Sequence, residues 1–204
     1  MISGAPNKIP LYGMVLAGGK SVRMGQDKSV INWHGKEQRY YMAGLLRNVC
    51  DEVYISCRPE QVSGIDKNYN TLADNYPGGG PLVGILSAFK KAPGAAWLVT
   101  ACDLPLLDLA TLQYLIAHRD TTCMATAYKS SFDDLPEPLI TIWEPQSYEL
   151  LQAHIADGYT CPRKALIRNE KMVKIILPPD PDALINANTP GDADRVKELL
   201  TKRG

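Results

Sequence analysis

G-M-V-L-A-G-G-K-S-V-R-M-G-Q-D-K, Gly13 to Lys28, joins a continuous apolar run, Gly13–Ala17, to a glycine pair and a stretch that carries cations. A run of this kind without polar alternation predicts a strand buried on both faces, and Gly18-Gly19 marks where it feeds a loop. Open α/β sheets bind ligands at the carboxyl ends of such strands. Gly18 and Gly19 let the backbone approach a ligand and aim N–H groups at phosphate oxygens, while Arg23 and Lys28 add fixed positive charge. Leu16 to Lys28 therefore reads as a triphosphate cradle. It is neither a P-loop, which needs G-x-x-x-x-G-K-[ST], nor a G-x-G-x-x-G dinucleotide turn. A tight turn with solvated cations is the plain alternative, since turns use glycine freely.

Outward from this stretch, short apolar runs alternate with helical periodicity, the signature of β-α-β units and a largely parallel sheet. E-V-Y-I-S-C at Glu52–Cys57 and A-A-W-L-V-T at Ala95–Thr100 are rich in β-branched and aromatic residues and should flank the first strand. Tyr40, Leu45, Leu46 and Val49 suit one helix face. Leu82, Ile85, Leu86 and Phe89 suit another, begun by Gly80-Pro81 with proline in the first position. Asp108 is placed to cap a third helix with Leu112, Leu115 and Ile116 inward. C-M-A-T-A-Y, L-I-T-I-W and M-V-K-I-I-L read as further strands, with a polar turn at Lys129–Asp134 and a helix from about Pro145 to Asp157 closed by Gly158. I-N-A-N then leads, as a last strand end, into Thr189-Pro190-Gly191-Asp192, a cap, a proline start and an acid in the first turn.

Composition narrows the function classes. With 204 residues, 45% of them apolar and 22% charged, the chain predicts one globular domain over residues 1–204 and excludes disordered, collagenous and disulfide-scaffold classes. Lys plus Arg and Asp plus Glu number 22 each, so no net field draws the chain to nucleic acid or to a membrane. The scattered cysteines, Cys50, Cys57, Cys102, Cys123 and Cys161, show neither C-x-x-C nor metal-ligand spacing and predict reduced thiols. No apolar h-region or membrane-length run is present, and the expectation is a cytoplasmic protein.

Asp103 follows an apolar strand and should emerge at the edge that holds the glycine loop, where it is the candidate metal ligand. Mg²⁺ keeps several waters and takes only one or two protein carboxylates, so a lone aspartate suffices for a triphosphate-bound ion. A cap for the following turn is the other use for such a residue. Asn186 and Asn188 present amides that could touch metal, water or a second substrate, or serve turn chemistry alone. Arg163 and Lys164 could meet an anionic second substrate or form an ordinary solvated pair. His34, His118 and His154 are isolated, with His118 expected at the last carbonyls of a helix.

The stretch Leu16–Lys28 resembles the molybdenum cofactor guanylyltransferase family of nucleotidyltransferases, whose signature is L-A-G-G-x-x-x-R-M-G-x-D-K. The match is complete, and Gly18 after Ala17 favours the guanylyl branch over the related cytidylyltransferases, which tend toward L-A-A-G. P-G-G-G-P-L-V-G-I at Pro77–Ile85, C-D-L-P at Cys102–Pro105 and N-A-N-T-P at Asn186–Pro190 resemble further motifs of that family, with E-P-L at Glu137–Leu139 a weaker echo. The likeness runs from about residue 11 to about 198. It implies that Asp74 helps hold the guanosine, and an acceptor carboxylate suits a base with an N1–H and an exocyclic amine. One departure stands out. The family often has an asparagine near the end of the second strand, whereas this chain has Ile55-Ser56-Cys57-Arg58, which leaves Ser56 or backbone groups to substitute.

The expectation is thus a Rossmann-like three-layer α/β nucleotidyltransferase fold with a mostly parallel central sheet. The resemblance implies transfer of GMP from GTP to molybdopterin with Mg²⁺. Arg23, Lys28 and Asp103 are the expected catalytic groups, and Leu16, Ala17, Gly18, Gly19, Lys28, Ser56, Asp74 and Asp103 the nucleotide site. Transient contacts with cofactor-synthesis proteins are the expected partnerships. The rival readings are a cytidylyl- or sugar-phosphate nucleotidyltransferase and a nucleotide-binding protein without turnover.

Overall fold

The apolar run before the glycine pair becomes β1, Leu11–Leu16, shifted toward the N-terminus relative to Gly13–Ala17. The structure, a computed structural model, describes residues 8–19, 27–76 and 79–203; Arg23, Pro77 and Gly78 lie outside the described residues. After β1 come α1 (Gln38–Arg47), β2 (Glu52–Cys57), β3 (Asn70–Ala73), α2 (Pro81–Lys91) and β4 (Ala96–Ala101). Then follow α3 (Leu109–Ala117), β5 (Ala125–Lys129), β6 (Pro136–Trp143), α4 (Ser147–Ala156), α5 (Pro162–Arg168), β7 (Val173–Ile176) and α6 (Pro190–Arg203). Among the described residues these strands form one seven-stranded sheet, β3-β2-β1-β4-β6-β5-β7. β2 and β4 flank β1 in parallel, as their composition predicts, and β6 alone runs against its neighbours β4 and β5.

Residues alternate between the two faces along each central strand. Val15, Ile55, Leu98 and Ile142 pack with Met42 and Leu46 of α1 and Leu112 and Leu115 of α3. Met14, Trp97, Val99 and Trp143 pack on the opposite face with Leu82, Ile85 and Phe89 of α2 and Leu151 of α4. Both faces are covered, which is why these strands read as unbroken apolar runs. β4 is buried along its whole length.

One expectation is widened and one corrected. α1 buries Met42, Ala43 and Leu46, and the expected Tyr40, Leu45 and Val49 pack partly buried against the same core. Tyr40 stays at the margin because its hydroxyl accepts a hydrogen bond from the Asp66 N–H at 2.9 Å, and Val49 lies beyond the helix end. I-N-A-N is not a strand: β4 is already paired on both sides, by β1 and β6, so the segment is pinned by a bond from the Ala187 N–H to the Asp103 carbonyl at 2.8 Å. The capping readings agree with the structure. The Asp108 carboxylate accepts from the Thr111 N–H at 2.8 Å, and Thr189 and Asp192 cap α6 reciprocally.

Candidate active site

β1, β2, β3 and β4 run parallel, so Leu16, Cys57, Ala73 and Ala101 all end at one edge of the sheet. A cleft of about 810 Å³ opens there, and Leu16, Ala17, Gly18, Gly19, Lys28, Ser56, Asp74 and Asp103 all line it. Every described residue expected in the nucleotide site is thereby brought together from four chain segments. Asn186 and Asn188 line a second cleft of about 570 Å³ instead. The two clefts share Gly79, Gly80, Pro81 and Leu139, so they adjoin.

The glycine loop leaves β1 with the Ala17 N–H still bonded to the Ser56 carbonyl at 2.8 Å, which carries strand pairing to the edge of the cleft. At Gly19 no described atom lies within 4 Å of the place a Cβ would occupy. Asp27 caps the short 3₁₀ turn Lys28–Val30 by accepting from the Ser29 N–H at 2.9 Å, and the Gln61 amide donates to its other oxygen at 3.3 Å. Lys28 is thus held facing the cleft. Its Nζ donates to Asn188 Oδ1, which ties the glycine-loop stretch to N-A-N-T-P. Asn186, by contrast, turns its amide to the Leu184 carbonyl at 3.4 Å and serves the local turn.

At the β2 and β3 ends, the Asp74 N–H donates to the Cys57 carbonyl at 3.0 Å, placing its carboxylate beside Ser56. Ser56 is 2% exposed, and its Oγ donates to Asp74 Oδ1 at 3.2 Å. Burial pushes the Asp74 carboxyl up, while the Ser56 hydrogen bond and the Arg58 guanidinium pull it back. α2 closes this side. Gly80 precedes it at φ +95°, a backbone conformation that favours glycine, and a Cβ on Gly84 would stand 2.7 Å from Leu16 Cδ2 and 2.9 Å from Ser56 Oγ.

Asp103 projects from the end of β4. Burial pushes its carboxyl up against the pull of the Lys28 ammonium, and its buried Oδ1 has no hydrogen-bond partner among the described residues. A buried carboxylate oxygen without a donor is costly to keep, and a hard cation is what such an oxygen suits. Among the described residues no cluster of three or more His, Cys, Asp or Glu could hold a metal alone.

Arg163 donates to Asp133 at 2.6 Å and to Glu137 at 2.9 Å on the wall of the second cleft, so it is not simply solvated. Lys164 lies 5.9 Å from the centre of the Tyr159 ring. The histidines contact backbone carbonyls: His34 that of Pro105, His118 that of Tyr114 and His154 that of Cys161. All five cysteines are free. Arg58, Glu60 and Tyr76 also line the first cleft without having been given a role from sequence, and Leu139 of the E-P-L stretch joins them. Arg58 carried the clearest signal, a cation directly after a strand that ends beside the glycine loop.

Fold and cleft together define a nucleotidyltransferase of the Rossmann-like α/β class. Residues 13–173 match the family described as MobA-like NTP transferase domain. The chain is 36% identical over 191 residues to the molybdenum cofactor biosynthesis bifunctional protein of Synechocystis sp.; the match covers 93% of this chain and 54% of that protein, so the chain spans about half that relative's length. It is 31% identical over 198 residues to the probable molybdenum cofactor guanylyltransferase of Opitutus terrae, covering 93% of this chain and 96% of the relative. The crystal structure of molybdopterin-guanine dinucleotide biosynthesis protein A from Archaeoglobus fulgidus superposes with a TM-score of 0.78 over 94% of this chain and 99% of that one; at 23% identity this likeness shows the fold. The chain belongs to the MobA-like NTP transferase family. No helix among the described residues is long and apolar enough to cross a membrane.

Proposed function

We propose that this chain transfers GMP from GTP to the phosphate of molybdopterin, releasing pyrophosphate, in the cytoplasm and with transient contacts to other cofactor-synthesis proteins. The observation that carries this is the convergence of Gly18-Gly19, Lys28, Asp74 and Asp103 on one cleft that adjoins a second. The first cleft takes the nucleotide, its base toward Ser56 and Asp74 and its phosphates toward the glycine loop and Lys28. The second, with Asn188 and Arg163 on its wall, takes the pterin substrate.

In the reaction an oxygen of the acceptor phosphate forms a bond to the α-phosphorus of GTP while the bond from that phosphorus to the bridging oxygen breaks, and pyrophosphate departs with the electron pair. The acceptor is already an anion, so no general base is needed, and the protein contributes positioning and charge neutralisation. Lys28 and the glycine-loop amides hold the triphosphate, with Arg23 added by resemblance. Asp103, with its unpartnered buried Oδ1, would hold Mg²⁺, which would neutralise and orient the phosphates. The Lys28–Asn188 bond couples the phosphate side of one cleft to the wall of the other.

The test is incubation with GTP, Mg²⁺ and molybdopterin, with mass detection of the guanine dinucleotide and of released pyrophosphate, and with CTP, ATP and UTP as competitors. Formation of the guanine dinucleotide is the expected result. Preferential use of CTP, or tight GTP binding with no product, would overturn it in favour of a cytidylyl enzyme or a binding protein.

A further inference from the structure

Guanine offers an acceptor, O6, beside two donors, the N1–H and the exocyclic amine. The Asp74 carboxylate matches the donors only. Something else must donate to O6, and the Ser56 hydroxyl proton already goes to Asp74. The amide that the family often places at the end of the second strand is absent here, and Arg58 stands at that end.

Arg58 lines the same cleft as Ser56 and Asp74. Two hydrogen bonds hold it. Its N–H donates to Gln61 Oε1 at 3.0 Å, and its Nη1 donates to Glu60 Oε1 at 2.8 Å. Its Cγ lies 3.7 Å from where a Cβ on Gly18 would stand, so the stem runs alongside the glycine loop. Yet its Nε is buried with no hydrogen-bond partner among the described residues. A guanidinium carries five donors in a rigid fork. The single bond to Glu60 leaves donors over, and an unmet donor in a partly buried position favours whatever ligand brings a carbonyl oxygen. Arg58 and Asp74 line the same cleft, and the guanidinium charge favours the ionised form of Asp74.

We propose that Arg58 determines base specificity by donating from its guanidinium to guanine O6 while Asp74 accepts from the N1–H and the amine. The assignment rests on the GTP reading above. Cytosine and adenine present an amino donor where guanine presents O6, so the same arginine that attracts guanine rejects them.

The experiment compares the parent with Arg58→Met, which keeps the stem against Gly18 and removes every donor, and with Arg58→Lys, which keeps the charge. Competition binding in the presence of Mg²⁺ is measured for GTP, CTP, inosine triphosphate, which lacks the exocyclic amine, and 6-thioguanosine triphosphate, whose sulfur is a poor acceptor. Circular dichroism verifies that the variants fold. The parent should bind GTP more tightly than the 6-thio analogue. Arg58→Met should lose about tenfold to a hundredfold in GTP affinity and close that gap, with Arg58→Lys between the two. The penalty for inosine triphosphate, read by Asp74, should be the same in parent and variant. A 6-thio gap that persists in Arg58→Met overturns the proposal, as does an equal loss for GTP and CTP, which would make Arg58 a phosphate or ribose contact. A parent that shows no preference for GTP over CTP removes the guanine reading itself and the O6 role with it, a result distinguishable from failure of Arg58 alone.

Discussion

Lys28 and Asp103 both line the first cleft, and their replacement separates binding chemistry from folding. Lys28→Ala should lower kcat/KM for GTP by about a hundredfold, since one preorganised donor at developing phosphate charge carries roughly that much, while Tm moves little for a side chain in an open cleft. Steady-state kinetics beside a thermal melt checks both halves, and parental turnover would remove Lys28 from the cradle. Asp103→Asn keeps the shape and removes the charge that attracts a hard cation, so turnover should fall and its dependence on Mg²⁺ concentration should move to higher values. Asp74 carries a pH signature. Burial raises its carboxyl relative to an exposed aspartate, whose pKa is about 3.9, against the pull of Ser56 and Arg58, so it takes up a proton at a higher pH than an exposed aspartate does. The preference for GTP over CTP should therefore shrink as pH falls through that raised value and be restored as it rises. Taking the ratio of the two dissociation constants cancels the titration of the phosphates, and Asp74→Asn should abolish the pH dependence. A ratio flat with pH in the parent would show that the base is read elsewhere.

α2 begins with Gly80-Pro81 and α3 with the Asp108 cap, and the two helix starts do different work. Gly84 sits where α2 rests on the ends of β1 and β2, and an added methyl would overlap Leu16 and Ser56. Gly84→Ala should cost about 1–3 kcal/mol through overpacking and should also weaken GTP binding, because the methyl can be relieved only by moving α2 or the Ser56–Asp74 pair. Asp108→Ala removes the cap of α3 and should cost about 1 kcal/mol with GTP affinity unchanged, since Asp108 does not line either cleft. Chemical denaturation with nucleotide titration on both variants distinguishes them; Gly84→Ala with parental affinity would mean that the helix yields without disturbing the base end. The cap was legible from sequence because it involves residues three apart on one segment. The Gly84 contact was not, because it joins three segments and depends on how closely a helix approaches a sheet.

Away from the site, the molecule is secured by an ion pair that no local pattern announced. Arg119 and the fully buried Glu144 form a bidentate pair at 2.6 and 2.9 Å, and Arg119 also reaches the Ile9 carbonyl at 3.5 Å, tying the end of α3, the end of β6 and the approach to β1 together. Arg119→Met would leave the Glu144 carboxylate buried without its partner, at a cost of about 3–5 kcal/mol, or roughly 10 °C in Tm for a domain of this size. Differential scanning calorimetry checks this, and GTP affinity below the transition should be unchanged because the pair lies at the opposite edge of the sheet from the cleft; a Tm within a degree or two of the parent would show that solvent reaches Glu144 after all. The amino-acid sequence by itself determined the strands, the caps, the glycine loop and the class of ligand, because each is written in neighbouring residues whose periodicity, charge and backbone freedom act locally. Only the tertiary structure decided that Lys28 meets Asn188, 160 residues away along the chain, that β6 runs against its neighbours, that Asn186 turns to the backbone while Asn188 bonds to Lys28, and that Arg58 and Asp74 line one cleft. Those outcomes follow from strand order, close packing and burial, which couple residues that share no local pattern.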